Sequence, residues 1–303
     1  MHDSTTIQHA QLPRALAVVG GGYVGIEFAS MFAQFGSKVT VLDRGSRALS
    51  KEDPDVAREV ESCLEDTGAV IISSASVHSI SQDEQGATVI YERQGEVHQL
   101  QADAVLIALG RVPNTAGLGL EAAGVQTGSR GEVAVDEFLA TNIEGIYALG
   151  DANGGPQFTY VSLDDHRVVA SQLLGDGSRS TNDCVAVPFT IFTTPPLARV
   201  GLSEEQAAHQ GIQTRIAVKK VSEIAAMPRP KIVGDPRGII KFVVDARSDL
   251  ILGAALMHVD SQEVINLVAL AMRMGLTASA LRDQIFTHPS SAEALNEVLG
   301  FLG

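Results

Sequence analysis

Gly20-x-Gly22-x-x-Gly25 is the stretch of this chain with the clearest chemistry, because glycines at that spacing suit a turn that cradles phosphate. An apolar run, residues 15–19, leads into it and an amphipathic segment follows, so the motif stands where a strand hands over to a helix. Gly20 permits the tight turn, Gly22 lets backbone N–H groups approach a pyrophosphate, and Gly25 lets helix and strand pack closely. The anion would then rest on the positive end of the helix dipole. Asp43 closes the next apolar strand, 38–42, about 20 residues further on, where an acid accepts hydrogen bonds from a ribose 2′-hydroxyl. The same carboxylate would repel a 2′-phosphate, which favours NAD(H) over NADP(H). Arg44 and Arg47 lie just downstream and leave a phosphate-holding alternative open.

The elements that must position these groups follow a β/α alternation from residue 15 to residue 111. Helices are expected over 25–35 and 54–67, the second with Asp53 as N-cap and Pro54 at its first position. Short strands are expected over 69–73, 77–81, 87–92 and 97–100, the last two as a hairpin around Gln94-Gly95. The continuous apolar run 104–109 suits a buried central strand, ended by Gly110-Arg111-Val112-Pro113-Asn114. Beyond it the pattern predicts strands over 131–136 and 145–149, a sharp turn at Gly150-Asp151 and a helix over 160–174. A polar, glycine-bearing link over 175–183 follows. From Cys184 onward, strands over 212–220, 238–245 and 251–258 alternate with helices over 203–210, 261–274 and 290–299, an α+β pattern.

With 303 residues, 45% of them apolar, the chain is long enough for two or three compact units with sizeable cores. No apolar run reaches the length of a membrane span and the first twelve residues are polar, so a soluble cytoplasmic protein without a membrane partner is expected. A formal charge of −14 without a basic patch argues against nucleic acid as the main partner. The two cysteines, Cys63 and Cys184, lack CxxC or CxxxxC spacing and read as small hydrophobes, and the eight histidines show no metal-ligand spacing, so no resident metal is expected.

Four ordered motifs, GGGYVGIE, DAVLIALGRVPN, GIYALGDA and THPSSAE, resemble those of the class I pyridine nucleotide-disulfide oxidoreductases, relatives of lipoamide dehydrogenase, glutathione reductase and mercuric reductase. The resemblance covers essentially the whole chain. Within the family, EFASMFAQFGSKVTVLD, QFTYVSLDDHRVV, TPPLARVGLSEEQA and LRDQIFTHPS look most like the bacterial reactive-chlorine-resistance flavoproteins, a branch associated with NADH-dependent reduction of copper(II). The resemblance implies a Rossmann-like NAD domain over 13–113 behind a linker remnant, 1–12. A returning, partial FAD-domain segment over 114–180 and an α+β dimerisation domain over 184–303 would follow, making the active form a homodimer.

Residue by residue, the resemblance implies that Asp151 hydrogen-bonds the FAD ribityl chain, with a local Asx-turn as the alternative. Gln157, Phe158, Thr159 and Tyr160 would lie against the isoalloxazine at a helix N-terminus that stabilises negative charge on the reduced ring. Tyr23 would gate the nicotinamide side of the flavin, or else simply pack its helix. Val77 and Gly110 would line the NAD groove through backbone contacts. His288 and Glu293 match the terminal acid-base dyad, the imidazole exchanging a proton at the partner subunit's redox centre while the carboxylate orients it; a surface helix cap is the alternative. Mercuric reductases usually lack this histidine, so its presence weighs against mercury as substrate.

Family members begin with another glycine-rich turn for the FAD pyrophosphate and a CxxxxC disulfide, and neither stands in these 303 residues. The lysine that pairs with Glu27 near flavin N5 follows that disulfide, which leaves Glu27 without its family partner. The expectation is therefore a fragment of a reductase that moves hydride from NADH through FAD to a disulfide or metal ion. Alone it would bind NAD(H), hold FAD weakly, expose apolar surface over 115–174 and be inactive. The competing expectations are a noncatalytic NAD-binding, dimerising protein and one half of a split enzyme.

Overall fold

A computed structural model describes residues 11–84 and 86–302. Most of the linker expected over 1–12 therefore lies outside the described residues. The chain divides into two compact units, one formed by the chain up to Leu109 together with everything from Ala186 onward, the other running from Gly110 to Val185.

The first unit begins with β1 (Ala15–Val19), α1 (Tyr23–Gln34), β2 (Lys38–Leu42), α2 (Pro54–Glu65) and β3 (Val70–Ile72). An antiparallel meander, β4 (Ala75–Asp83), β5 (Gly86–Arg93) and β6 (Glu96–Ala102), leads to β7 (Ala104–Ile107). Strands β3-β2-β1-β7 form a sheet whose pairings are all parallel. Both its faces are covered, which is why β1 and β2 read as unbroken apolar runs rather than alternating ones. Along β1, Leu16 and Val18 join the core made with α1 and α2, whereas Ala17 and Val19 join the core beneath the meander. The Gln94-Gly95 hairpin turn has φ of 55° and 82°, the left-handed pair that a two-residue connection matched to strand twist requires.

After Val185 the chain forms β8 (Phe189–Ile191), β9 (Leu197–Gly201), α4 (Glu204–His209), β10 (Thr214–Lys220), α5 (Pro228–Val233), β11 (Ile239–Asp245) and β12 (Ile251–Met257), with α3 (Thr159–Leu174) lying earlier, in the second unit. Helices α6 (Ser261–Arg273), α7 (Ala278–Arg282) and α8 (Ala294–Leu299) complete it. The sheet order β10-β11-β12-β9-β8 is antiparallel throughout. Period-two alternation gives this sheet two apolar faces: Ile240, Phe242 and Val244 pack toward the C-terminal helices, while Ile239, Ala255, Met257 and Leu197 share one core with α1 and α2. The mixed α/β class is as expected.

On the α2-facing side, two strand positions carry cations instead of hydrocarbon. Lys241, 3% exposed, contacts Asp53 at 3.2 Å, Asp55 at 3.0 Å and Glu204 at 2.7 Å. Arg199, 4% exposed, pairs with Glu52, 1% exposed. Buried charges survive only when compensated in this way, so both groups fix how the chain at the start of α2 meets the C-terminal sheet.

Several local expectations need correction. Asp53 stands at the N-cap of α2, yet its side chain caps nothing there; it accepts the Glu204 and Glu205 N–H groups at 3.0 and 3.1 Å, at the start of α4. The strands expected over 131–136 and 145–149 are reduced to isolated bridges, Thr127 with Val133 and Ala140 with Tyr147, because no described neighbour continues a ladder beside them. β8, β9, α5 and α7 were not anticipated; they are short, or interrupted by prolines, and give little periodic signal. Among the described residues, no helix is long and apolar enough to cross a membrane.

Candidate functional site

Gly20 has φ of +109°, and a Cβ there would stand 2.5 Å from the Ala108 carbonyl oxygen on the neighbouring strand's continuation. At Gly25 an added Cβ would lie 1.9 Å from the Gly20 oxygen, so helix and turn touch through bare backbone. At Gly22 nothing beyond its immediate chain neighbours lies within 4 Å of such a Cβ, and no side chain caps α1. The helix therefore presents its N-terminal N–H groups beside open space, the arrangement that receives an anion. These observations fit a dinucleotide diphosphate.

Asp43 is already tied into this turn: Oδ2 accepts the Gly21 N–H at 2.6 Å and Oδ1 accepts the Gly45 N–H at 2.7 Å. Each carboxylate oxygen retains a further lone pair, so a ribose hydroxyl still finds an acceptor held rigidly in place. Arg47 is drawn elsewhere, donating to the Glu52 carbonyl at 2.9 Å and pairing with Glu205 at 3.3 Å, while Arg44 is exposed.

Tyr23 opens α1. Its hydroxyl donates to Glu52 Oε1 at 2.7 Å and its ring lies 5.5 Å from that of Phe189. Burial, followed by the Glu52 charge, pushes its phenol well above the ordinary range. Glu27, one turn on, accepts the Phe192 N–H at 2.7 Å. In place of the family lysine, which these residues do not supply, a backbone donor from the segment after β8 serves Glu27. Burial raises the Glu27 carboxyl, an effect that the Phe192 hydrogen bond opposes. Sequence reading missed Glu52 and Arg199. A single arginine inside the apolar strand Leu-Ala-Arg-Val-Gly was the available signal, since such a residue must find an acid.

Val77 lies in β4 beside a bulge and packs partly against the core beneath the meander. Gly110 has φ of +130° and belongs to the other unit, Gly110 to Val185. In that unit Asp151 lies in a single 3-10 turn, Gly150–Asn153, and lines a cleft of about 430 Å³ with Arg111, Gln157, Thr159 and Ser162. Phe158 and Tyr160 stack at 5.2 Å with 8° between their planes at the start of α3, whose N-terminus has no side-chain cap. Burial raises the Tyr160 phenol. The turn is held by buried Asp165, also missed from sequence, which accepts the Gly150 N–H at 2.8 Å and the Asn153 amide at 3.0 Å. A polar-rimmed cleft above an uncapped helix suits a polyol or phosphate chain. Leu118, Leu163, Leu173 and Leu174 are exposed in this unit.

His288 Nδ1 lies 2.9 Å from Glu293 Oε1, and Glu293 Oε2 accepts the Ser290 N–H at 2.8 Å. The ring is largely exposed and the carboxylate largely covered. With Nδ1–H committed to the carboxylate, a neutral ring leaves Nε2 facing outward as proton acceptor. Burial of Glu293 would raise its carboxyl, but the hydrogen bonds from His288 and Ser290 outweigh it and hold the group below the usual carboxylate range. The loop is pinned by Ser291, whose hydroxyl donates to Asp260 Oδ2 at 2.9 Å. On α6 and just after it, Leu267, Leu270 and Met274 are exposed at helical spacing, and Ile285 is exposed further along the chain.

Comparison with known proteins matches residues 1–165 to the family described as pyridine nucleotide-disulphide oxidoreductase and residues 187–299 to its dimerisation domain. The chain is 47% identical to the probable pyridine nucleotide-disulfide oxidoreductase RclA of Escherichia coli (strain K12), over 100% of this chain and 67% of that protein. It is 34% identical to a mercuric reductase of Staphylococcus aureus over 96% of this chain and 53% of that protein, so it spans about half the latter's length. Among solved structures, the Cu(II) complex of the HOCl-induced flavoprotein disulfide reductase RclA from Escherichia coli matches with a TM-score of 0.94 and 46% identity. That match covers 100% of this chain and 68% of that one.

Proposed function

The chain belongs to the pyridine nucleotide-disulfide oxidoreductase family, and from that premise we propose that it carries the NAD(H) seat and the dimerising surface of a flavin-dependent oxidoreductase. The observation that carries this reading is the uncapped N-terminus of α1 beside the open space at Gly22, with Asp43 fixed at the end of β2. The diphosphate would be held by the N–H groups that open α1, from Gly22 onward, the Gly21 N–H being given to Asp43, and the adenosine ribose by Asp43. NADH is preferred over NADPH because Asp43 repels a 2′-phosphate and Arg47 is already engaged with Glu52 and Glu205.

Residues 13–113 are read as the dinucleotide domain, 114–180 as the flavin-facing segment and 184–303 as the dimerisation domain. Tyr23 and Glu27 would border the nicotinamide and Val77 the dinucleotide groove. FAD, when bound, supplies the two-electron carrier between nicotinamide and acceptor. Asp151 would hold its ribityl hydroxyls, and Gln157 through Tyr160 would lie against its ring, where the uncapped end of α3 favours negative charge. His288 Nε2 would take or give the proton that accompanies reduction of a disulfide, with Glu293 setting the tautomer. The relative's Cu(II) complex supports copper(II) as an alternative acceptor. The exposed apolar positions Leu267, Leu270 and Met274 along α6 and the match of 187–299 to a dimerisation domain support a homodimer.

Calorimetric titration with NADH and with NADPH tests the seat: tighter binding of NADH is expected, and no heat with either overturns the reading. Flavin absorbance of the purified protein and NADH-driven turnover test the extension to hydride transfer.

A further inference from the structure

Tyr23 is held at both ends by one strand pair of the C-terminal sheet. Phe189 and Arg199 face each other across β8 and β9; Phe189 meets the tyrosine ring at 5.5 Å, and Arg199 pairs with the carboxylate that accepts the tyrosine hydroxyl. Glu52, the link between them, is 1% exposed, and its two oxygens are divided between Tyr23 and Arg199. A buried carboxylate is stable only with such partners, so the chain Tyr23–Glu52–Arg199 is rigid rather than a surface contact. Arg47 steadies it from behind by donating to the Glu52 carbonyl. One turn along α1, Glu27 accepts the Phe192 N–H from the same segment, a second tie between that helix and the C-terminal half.

We propose that Glu52 and Arg199 are positioning residues for Tyr23, so that the sheet of the dimerisation domain sets the affinity of the dinucleotide site without touching the dinucleotide. The inference rests on the reading of the α1 N-terminus as an NAD(H) seat. Tyr23 is the first residue of the helix whose amides would hold the diphosphate, and an unfastened tyrosine there must be ordered each time a ligand binds. Fastening it in advance removes that entropic cost, which for a mobile side chain corresponds to about threefold to tenfold in affinity. The same chain of contacts makes the seat responsive to strain in the C-terminal sheet, because a shift of β9 moves Arg199 and with it the acceptor of the Tyr23 hydroxyl.

The test is NADH titration calorimetry on the wild-type chain, Tyr23→Phe, Glu52→Gln, Arg199→Met and the Tyr23→Phe/Arg199→Met double variant. Alongside it, NMR of 13Cζ-labelled tyrosine, with the Tyr23 signal assigned by its loss in Tyr23→Phe, reports the phenol directly without ligand. Expected are a threefold to tenfold weaker Kd in each single variant, a double variant no weaker than the worse single one, and a moved Tyr23 signal in Glu52→Gln. Tyr23→Phe removes a hydroxyl without stranding a charge and remains decisive where Glu52→Gln or Arg199→Met, each of which leaves a buried charge without its partner, does not fold. Wild-type binding of NADH with unchanged Kd in Tyr23→Phe overturns the inference and leaves the seat standing. A wild-type chain that binds no NADH overturns the seat and the inference together.

Discussion

Lys241 and Asp53 meet at 3.2 Å, joining the middle of a C-terminal strand to the cap position of the second helix of the N-terminal half. Asp55 and Glu204 complete a ring of acids around the one ammonium. Burial would lower the lysine and raise the aspartate, but the Glu204 and Glu205 N–H groups and then the Lys241 charge hold Asp53 lowered, and the hydrogen bonds to Glu204 and Asp55 hold Lys241 raised. Stability from Asp53 is therefore present above the ordinary carboxylate range and lost as pH falls through its depressed value. That from Lys241 is present below the ordinary lysine range and lost as pH rises through its elevated value.

Lys241→Met should destabilise the chain by about 3–5 kcal/mol at neutral pH, because the acids are left facing one another without their cation. Urea melts at pH 7 and pH 4 check this: the deficit should shrink at the lower pH as the acids protonate. An equal deficit at both would mean that lost packing alone explains the defect.

His258 predicts a second pH effect. It is fully buried, and burial depresses its imidazole from 6.5 to about 4. The unfolded chain takes up this proton before the folded one, so stability should fall as pH drops from about 6.5 toward 4 and level off below, a loss on the order of 3 kcal/mol. His258→Asn should flatten that part of the stability–pH curve in chemical denaturation, whatever its effect at pH 7.

The glycines of the turn should separate folding from binding. Gly25→Ala places a carbon 1.9 Å from the Gly20 oxygen and should cost several kcal/mol or prevent folding. Gly22→Ala meets no such obstacle and has φ of −75°, so its melting temperature should stay near wild type. Its methyl group would enter the space proposed for the diphosphate, and NADH affinity should drop at least tenfold by calorimetry.

Glu293→Gln should release the His288 ring from its Nδ1–H tautomer, visible in long-range 1H–15N spectra of the imidazole. In the flavin-loaded protein, turnover of a disulfide should fall about tenfold to a hundredfold while NADH binding is unchanged. An unaltered tautomer ratio would show that the 2.9 Å contact does not orient the ring.

Much of the fold was legible because its signals are local. Apolar runs bounded by glycine mark β1, β2 and β7, and Gln94-Gly95 marks the hairpin of the meander. The GxGxxG spacing with Asp43 marks the strand-turn-helix and the acid that closes β2, since each glycine answers a backbone constraint within a few residues. Illegible were the short strands β8 and β9 and the weak pairing of 131–136 and 145–149, whose state depends on distant neighbours.

By itself the sequence determined the strand-turn-helix, its acid and the His288–Glu293 spacing, because these follow from glycine geometry, periodicity and separations of a few residues. Only the tertiary structure decided that Asp53 serves another helix, that Glu27 finds the Phe192 N–H, and that Glu52 joins Tyr23 to Arg199. The reason is physical: a charge removed from water must find its complement wherever packing brings one, and no local rule of chain geometry names which distant residue that will be.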